Sequence, residues 1–499
     1  MRASGILLPI FSLPSPHGIG TFGDAAYRFV DFLKRAGQRY WQVLPLGPTG
    51  YGDSPYQSFS SFAGNPYFVD LDRLVQKGLL TADEVAAADF GNDASVVDYE
   101  KLYQHRFPLL RKAFDRFVPN AKYRSFCEQN AWWLDDYALF MALKTAANGA
   151  EWTLWKKELC HREPTALETA FDEHRETVEF YRFLQYEFAV QWTALKAYAN
   201  AADIEIIGDI PIYVAYDSAD VWADPSQFQL DKHLRPSAVA GVPPDAFCED
   251  GQLWGNPLYR WSAMKKDGFA WWKRRLRYAL SLYDIVRIDH FRGFESYFAV
   301  PYGEETAKNG KWIKGPGMAL FRELSAAFGG KLPIIAEDLG FLTPAVRRLL
   351  SDVGYPGMKV LQFAFDSREE SDYLPHRYGT HCVVYTGTHD NDTVLGWTNT
   401  ADSKDVAYAR RYLHVDDAEG FNWAMMRAAL ASVADTAILM MQDIIGLGSE
   451  GRINTPSTLG GNWQWRIREG CINDWLAGIV RENTALYGRL PEEEKNTVE

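Results

Sequence analysis

Eight short apolar, β-branched runs recur along the chain, and most are followed by a stretch whose apolar residues fall at helical spacing. The runs are Gly5 to Phe11, Tyr40 to Leu46, Ile204 to Val214, Asp284 to Phe291, Leu332 to Leu339, Lys359 to Phe365, Cys382 to Thr388 and Ala437 to Leu447. Runs of this length without strict alternation suit strands buried on both faces, and strand alternating with helix calls for parallel pairing through crossovers. Eight such units predict an α/β fold, the (β/α)₈ TIM barrel. The segment Asp24 to Ala36, closed by Gly37, reads as one of the crossover helices, with an apolar stripe and a glycine stop.

Two connections exceed what a barrel loop needs, so each should carry structure of its own. The first lies between Gly47 and Asp203; its middle, 81–198, is rich in Leu, Ala, Phe, Trp, Glu and Lys and predicts a large, mostly helical insertion after the second strand. The second, 215–283, follows the third strand. It contains the Pro- and Gly-bearing stretch Gly241 to Asn256, whose composition predicts a loop. With 499 residues and 47% hydrophobic content, the expectation is one elaborated catalytic domain spanning 1–499.

The net charge of -13 argues against nucleic acid and against anionic membranes as partners. The five cysteines stand far apart with no Cys-x-x-Cys pair, which fits neither a disulfide framework nor a zinc cluster. No run reaches the roughly 18 apolar residues of a membrane span, and the first residues lack a signal-peptide core, so a cytoplasmic location is expected. Gly18-Ile-Gly20-Thr-Phe-Gly23 follows a strand and precedes a helix, as a dinucleotide fingerprint does. The next strand, Tyr40 to Gly47, lacks the acidic residue that would hold a ribose, so nicotinamide binding is not expected. No phosphate-binding Gly-Lys-Ser/Thr loop and no His-x-x-x-His pair occurs, so the reading includes neither a cofactor nor a metal.

In a barrel of this kind, functional side chains gather at the carboxyl ends of the strands. Those ends are polar and mostly acidic here: Asp209 on the third, Arg287 and Asp289 on the fourth, Glu337 and Asp338 on the fifth, Asp366 on the sixth, His389 and Asp390 on the seventh. One charged residue at a strand end can be a structural salt bridge, and hard divalent cations also take oxygen ligands. Acids at five strand ends, however, would repel one another and raise one another's pKa, a cost that points to chemistry.

Arg287 and Asp289 are two apart and share a strand face, so the guanidinium should hold Asp289 ionised, as a nucleophile requires. Glu337 follows Ile334-Ile335-Ala336 with no adjacent base; its pKa should rise and keep it protonated as a general acid. Asp338 should face the other way. A carboxylate and a carboxylic acid about 5 Å apart are the equipment of a retaining glycosidase.

At this point the sequence resembles the amylomaltases, the 4-α-glucanotransferases (disproportionating enzymes) of glycoside hydrolase family 77, which are related to the α-amylases. The resemblance covers essentially the whole chain and rests on Gly18 to Asp24, Gln42 to Tyr56, Gly208 to Val214, Gly241 to Asn256 and the later strand ends. It implies that Asp289 is the nucleophile of a covalent glucosyl-enzyme, Glu337 the acid and later the base, and Asp390 a stabiliser of the transition state. It further implies that His389, Arg287 and Asp209 hold hydroxyls of the donor-side sugar and that Tyr56 stacks on it. Ser54, Gln252, Trp254, Asp366 and Asn454 would line neighbouring subsites, and Tyr51 a second glucan groove. The implied substrates are α-1,4-glucans, maltooligosaccharides and glucose.

Transferase and hydrolase share the covalent intermediate and differ only in whether a sugar hydroxyl or water resolves it. The Gly241 to Asn256 segment, with Phe247 and Trp254, could cover the acceptor side and shed water. An amylase-type hydrolase is the alternative, and a non-catalytic glucan-binding barrel a more distant one; the aromatic residues serve all three.

Overall fold

A computed structural model describes residues 2–50, 52–244, 249–340, 342–416 and 418–491. Twelve strands are found among them: β1 Ala3–Leu7, β2 Tyr40–Gln42, β3 Glu205–Ile210, β4 Ala238–Val242, β5 Gln252–Pro257, β6 Ile285–Ile288, β7 Ser296–Pro301, β8 Lys311–Lys314, β9 Ile334–Ala336, β10 Gly357–Val360, β11 Cys382–Tyr385 and β12 Thr436–Met440. Eight of these, one from each apolar run, pair in parallel in the order β10-β11-β12-β1-β2-β3-β6-β9. The last gap is closed at two points. The Ala336 N–H donates to the Pro356 carbonyl at 2.9 Å, and Asp338, turned away from the barrel axis as its parity requires, accepts from the Met358 N–H at 2.6 Å.

The ladders are shorter than the runs that predicted them. Tyr40 to Leu46 yields only the three paired residues of β2, yet Val43, Leu44 and Leu46 stay buried. Apolar character reports burial, and at the top of a barrel the chain remains covered by loops after pairing ends.

Between β2 and β3 lie seven α-helices, from Leu71–Gln76 to Arg175–Ala201. The longest two, Ala121–Ala146 and Arg175–Ala201, pack on each other through rings such as Tyr123 and Tyr186, 5.5 Å apart. The second also serves the barrel as the crossover into β3: its Trp192 and Phe188 stand 5.1 and 5.2 Å from Phe22. One continuous apolar core therefore runs from barrel to helices.

The segment Gly241 to Asn256 departs from the expected loop. Its ends are strands β4 and β5 of a second, antiparallel sheet ordered β5-β4-β7-β8, with Gly241 opposite Leu253 and Phe298. Its Pro and Gly residues mark the turn between strands, and the backbone partners offered by β7 come from a distant part of the chain. Val239, Phe298, Val300 and Ala307 form a small core beneath this sheet. Phe247 lies outside the described residues.

The glycines of Gly18 to Gly23 serve packing. A Cβ at Gly20 would sit 1.9 Å from the Ile10 carbonyl oxygen, and one at Gly23 2.1 Å from Asp70 Oδ2. Among the described residues no helix is long and apolar enough to cross a membrane, and the four described cysteines are free.

Candidate active site

The carboxyl ends of the barrel strands open into a cleft of about 470 Å³. Its lining includes Ser54, Tyr56, Gln252, Trp254, Asp289, His389, Asp390 and Asn454, all expected from the sequence. Arg287, Asp209 and Glu337 lie just beneath, buried among the strand ends. Asp366 is not among the lining residues; both its oxygens accept from the Arg368 side chain, at 2.9 and 2.7 Å, which holds its carboxyl well down at about 2. Tyr51 lies outside the described residues.

The two central carboxylates are fixed by continuation of the barrel ladder past the strand ends. The Asp289 N–H donates to the Ile210 carbonyl at 3.0 Å and the Glu337 N–H to Ile288 at 3.0 Å. Because Ile288 is the register partner of Ala336, Asp289 and Glu337 follow as the next pair across two neighbouring strands, which lie about 4.8 Å apart.

Beneath them, Arg287 Nη1 bonds Asp209 Oδ2 at 2.6 Å and reaches Asp289 Oδ1 at 3.1 Å. The Arg287 and Asp209 side chains are 4% and 0% exposed, so each is the other's necessary counter-charge. Asp209 also accepts from the Tyr56 hydroxyl at 2.9 Å. The Tyr56 ring stacks on His389 at 4.8 Å, and His389 Nε2 stands 3.4 Å from Asp390 Oδ2. Asp390, about half exposed, accepts from Asn454 Nδ2 at 2.6 Å.

Both central acids are pushed upward. Burial raises Glu337 to about 7, with the Asp289 charge adding to it; Arg287 and two backbone N–H groups oppose the shift. Those N–H groups are of His290 and Leu339, each at 2.7 Å from a Glu337 oxygen. His290 itself has a left-handed backbone, with φ of 51°, where the chain turns away after the strand end. Asp289 is raised to about 6, again by burial first, with Arg287 pulling it down. The guanidinium, expected to hold Asp289 ionised, does pull its carboxyl down, but burial is the larger effect. Arg287 is closer to Asp209 than to Asp289, and removal from water outweighs the charge it shares.

Several cleft residues escaped the sequence reading: Gln57, Tyr213, Asn256, Pro456, Ser457 and Trp463. Gln57, on the loop after β2, donates through Nε2 to Asn256 Oδ1 on β5 at 3.2 Å. Trp463, far from every strand end, closes the cleft beside Tyr56 and His389; the Gly460-Gly461 pair before it is the single local sign of a special turn. Among the described residues no group of three or more His, Cys, Asp and Glu is arranged to hold a metal ion.

Residues 8–472 match the family model described as 4-alpha-glucanotransferase, of glycoside hydrolase family 77. The chain is 51% identical over 484 residues to the 4-alpha-glucanotransferase of Clostridium butyricum, covering 96% of this chain and 99% of that protein. It is 51% identical over 502 residues to that of Thermus thermophilus, covering 98% and 99%. Among solved structures, the amylomaltase from Streptococcus agalactiae in complex with acarbose superposes with a TM-score of 0.96 at 41% identity, covering 98% of this chain and 100% of that one.

Proposed function

The chain belongs to the 4-alpha-glucanotransferases of glycoside hydrolase family 77, and from that premise we propose how its residues divide the work of moving an α-1,4-glucan segment. Asp289 attacks the anomeric carbon of the donor and forms the covalent glucosyl-enzyme. Glu337 gives its proton to the leaving glycosidic oxygen, then takes one from the incoming 4-hydroxyl of an acceptor glucan or glucose. What carries this reading is the pairing of two raised carboxyls on neighbouring strand ends, Glu337 the better buried and Arg287 beneath Asp289. A carboxylate and a carboxylic acid can then coexist near neutral pH.

Asp390 and His389 hold the ring hydroxyls of the donor-side sugar, with Tyr56 stacked on its face and Asp209 setting the tyrosine. Gln252 and Trp254 belong to the acceptor side, as does Ser54 on the facing loop; Asn454 holds Asp390. The strand β5 that carries Gln252 and Trp254 is braced from behind: the Asp250 carbonyl accepts from the Ala307 N–H at 2.9 Å, and Lys308 pairs with the Asp250 carboxylate. This hairpin favours transfer by displacing water until a sugar hydroxyl fills the acceptor site. A cytoplasmic setting, where stored glucans and maltooligosaccharides occur, suits such chemistry.

The test is incubation with maltotriose. Transfer gives glucose and a ladder of longer maltooligosaccharides; reducing ends that rise without longer products would identify a hydrolase. Asp289→Asn should eliminate both outcomes, and a variant that still builds the ladder would remove Asp289 from the nucleophile's role.

A further inference from the structure

Trp463 stands in the left-handed region, φ of 62°, a conformation disfavoured for a bulky side chain, although the two glycines just before it take the same region at no steric cost. Its ring is 4% exposed and lies 5.8 Å from both Tyr56 and His389, whose own rings stack face to face with an interplanar angle of 21°. Trp463 thus stands beside the stacked pair that joins Asp209 to Asp390, equally distant from both rings.

The backbone on either side of the ring is tied down. The Trp463 N–H donates to the Ile453 carbonyl at 2.7 Å, one residue before Asn454. The Trp463 carbonyl accepts from the Tyr99 hydroxyl at 2.8 Å. Tyr99 opens the helix Tyr99–Arg116 of the segment between β2 and β3. Just before it, Val97 N–H donates to the Gln464 carbonyl and Arg466 N–H to the Ser95 carbonyl, both at 2.8 Å, with Val96 bridged to Trp465. A short antiparallel ribbon therefore joins the foot of this helix to the loop carrying Asn454 and Trp463.

We propose that Trp463 is a positioning residue for glucan transfer, held by the 95–99 ribbon and Tyr99 so that its ring fixes the plane in which Tyr56 and His389 meet the donor-side sugar. An imidazole that rotates about its Cβ loses the direction of its hydrogen bonds, and directional contacts to ring hydroxyls matter most as the sugar flattens toward the transition state. The loss on removing Trp463 should fall on kcat, with KM little changed. This inference rests on the reading that His389 contacts the donor-side sugar.

A double-mutant cycle between Trp463→Ala and His389→Ala, with kcat and KM measured on maltotriose and the melting temperature recorded for each protein, tests it. The expectation is a fall in kcat of about tenfold to a hundredfold for Trp463→Ala, partial rescue in Trp463→Phe, and a much smaller fall when the same change is made in the His389→Ala background. Equal falls in both backgrounds would overturn the positioning role while leaving the site reading intact. A His389→Ala enzyme with wild-type kcat would instead overturn the donor-side reading of His389. Should Trp463→Ala not fold, Tyr99→Phe replaces it in the cycle, since it removes one hydroxyl. A smaller loss of kcat that disappears in the His389→Ala background supports the tie, and wild-type kcat or an additive loss overturns it.

Discussion

The floor and the rim of the cleft are built on opposite plans. On the floor, Asp209 and Arg287 are paired residues of β3 and β6, and Asp289 and Glu337 follow just past the strand ends where the ladder continues; Arg287 pairs with both aspartates, and Glu337 accepts from two backbone N–H groups. On the rim, Ser54 and Asn454 come from loops and Gln252 and Trp254 from the edge strand β5 of the second sheet, with side-chain contacts such as Trp254 Nε1 to Gln252 Oε1 at 3.0 Å. Bond cleavage needs atoms held to a fraction of an ångström, which ladder bonds and buried charges supply. Exchange of one glucan for another needs an edge that admits large ligands, which loops supply.

If that contrast is right, substitutions on the floor should cost far more than those on the rim. Glu337→Gln should lower kcat on maltotriose by about 10²- to 10⁴-fold, the range for loss of a general acid, while a donor with a leaving group that needs no proton should recover most of the first step. The same substitution should raise the melting temperature. A carboxyl raised by folding contributes stability that is lost as pH rises through its folded value, so the variant should exceed wild type at pH 8 and match it near pH 4.

Arg287→Met should cost about 3–5 kcal/mol of stability, because it strands Asp209 in the interior without its partner; a thermal scan at wild-type values would show that Asp209 had found another counter-charge. The rate against pH should be a bell. As pH falls through the raised value of Asp289 the nucleophile is lost, and as it rises through that of Glu337 the acid is lost, so both limbs stand above the ordinary carboxylate range. An acid limb near 4 would mean that Arg287 outweighs burial after all.

Rim effects should be smaller. Trp254→Ala, removing a half-buried ring, should shift the ratio of hydrolysis to transfer by about three- to tenfold, an aromatic contact of ~1 kcal/mol, with no change in melting temperature. Asn454→Ala removes the 2.6 Å bond to a half-exposed Asp390 and should lower kcat by about fivefold or less. A rim substitution as damaging as a floor substitution would erase the distinction.

The floor was legible in the sequence because its residues end apolar runs: once eight strands are counted, Asp209, Arg287, Asp289 and Glu337 fall at their carboxyl ends without further information. The rim was legible mainly through the family resemblance, and incompletely. Trp463 has only the Gly460-Gly461 pair before it, a sign of a turn and not of a cleft residue, and Asp366, which ends the sixth run, is turned to Arg368 instead of the cleft. The Gly241 to Asn256 segment read as a loop because its Pro and Gly residues mask a short hairpin, Gly241 opposite Leu253, whose inner strand is completed by Phe298 from a distant part of the chain.

The sequence by itself determined the barrel, the number of its strands and the acids at their ends, since periodicity and strand-end chemistry are local properties of the chain. Only the tertiary structure decided how those acids titrate and which aromatic rings enclose them. Burial, the sharing of Arg287 between Asp209 and Asp289, and the meeting of Tyr56, His389 and Trp463 depend on how separate strands and loops come together, across 78 positions for Arg287 and Asp209 and 333 for Tyr56 and His389.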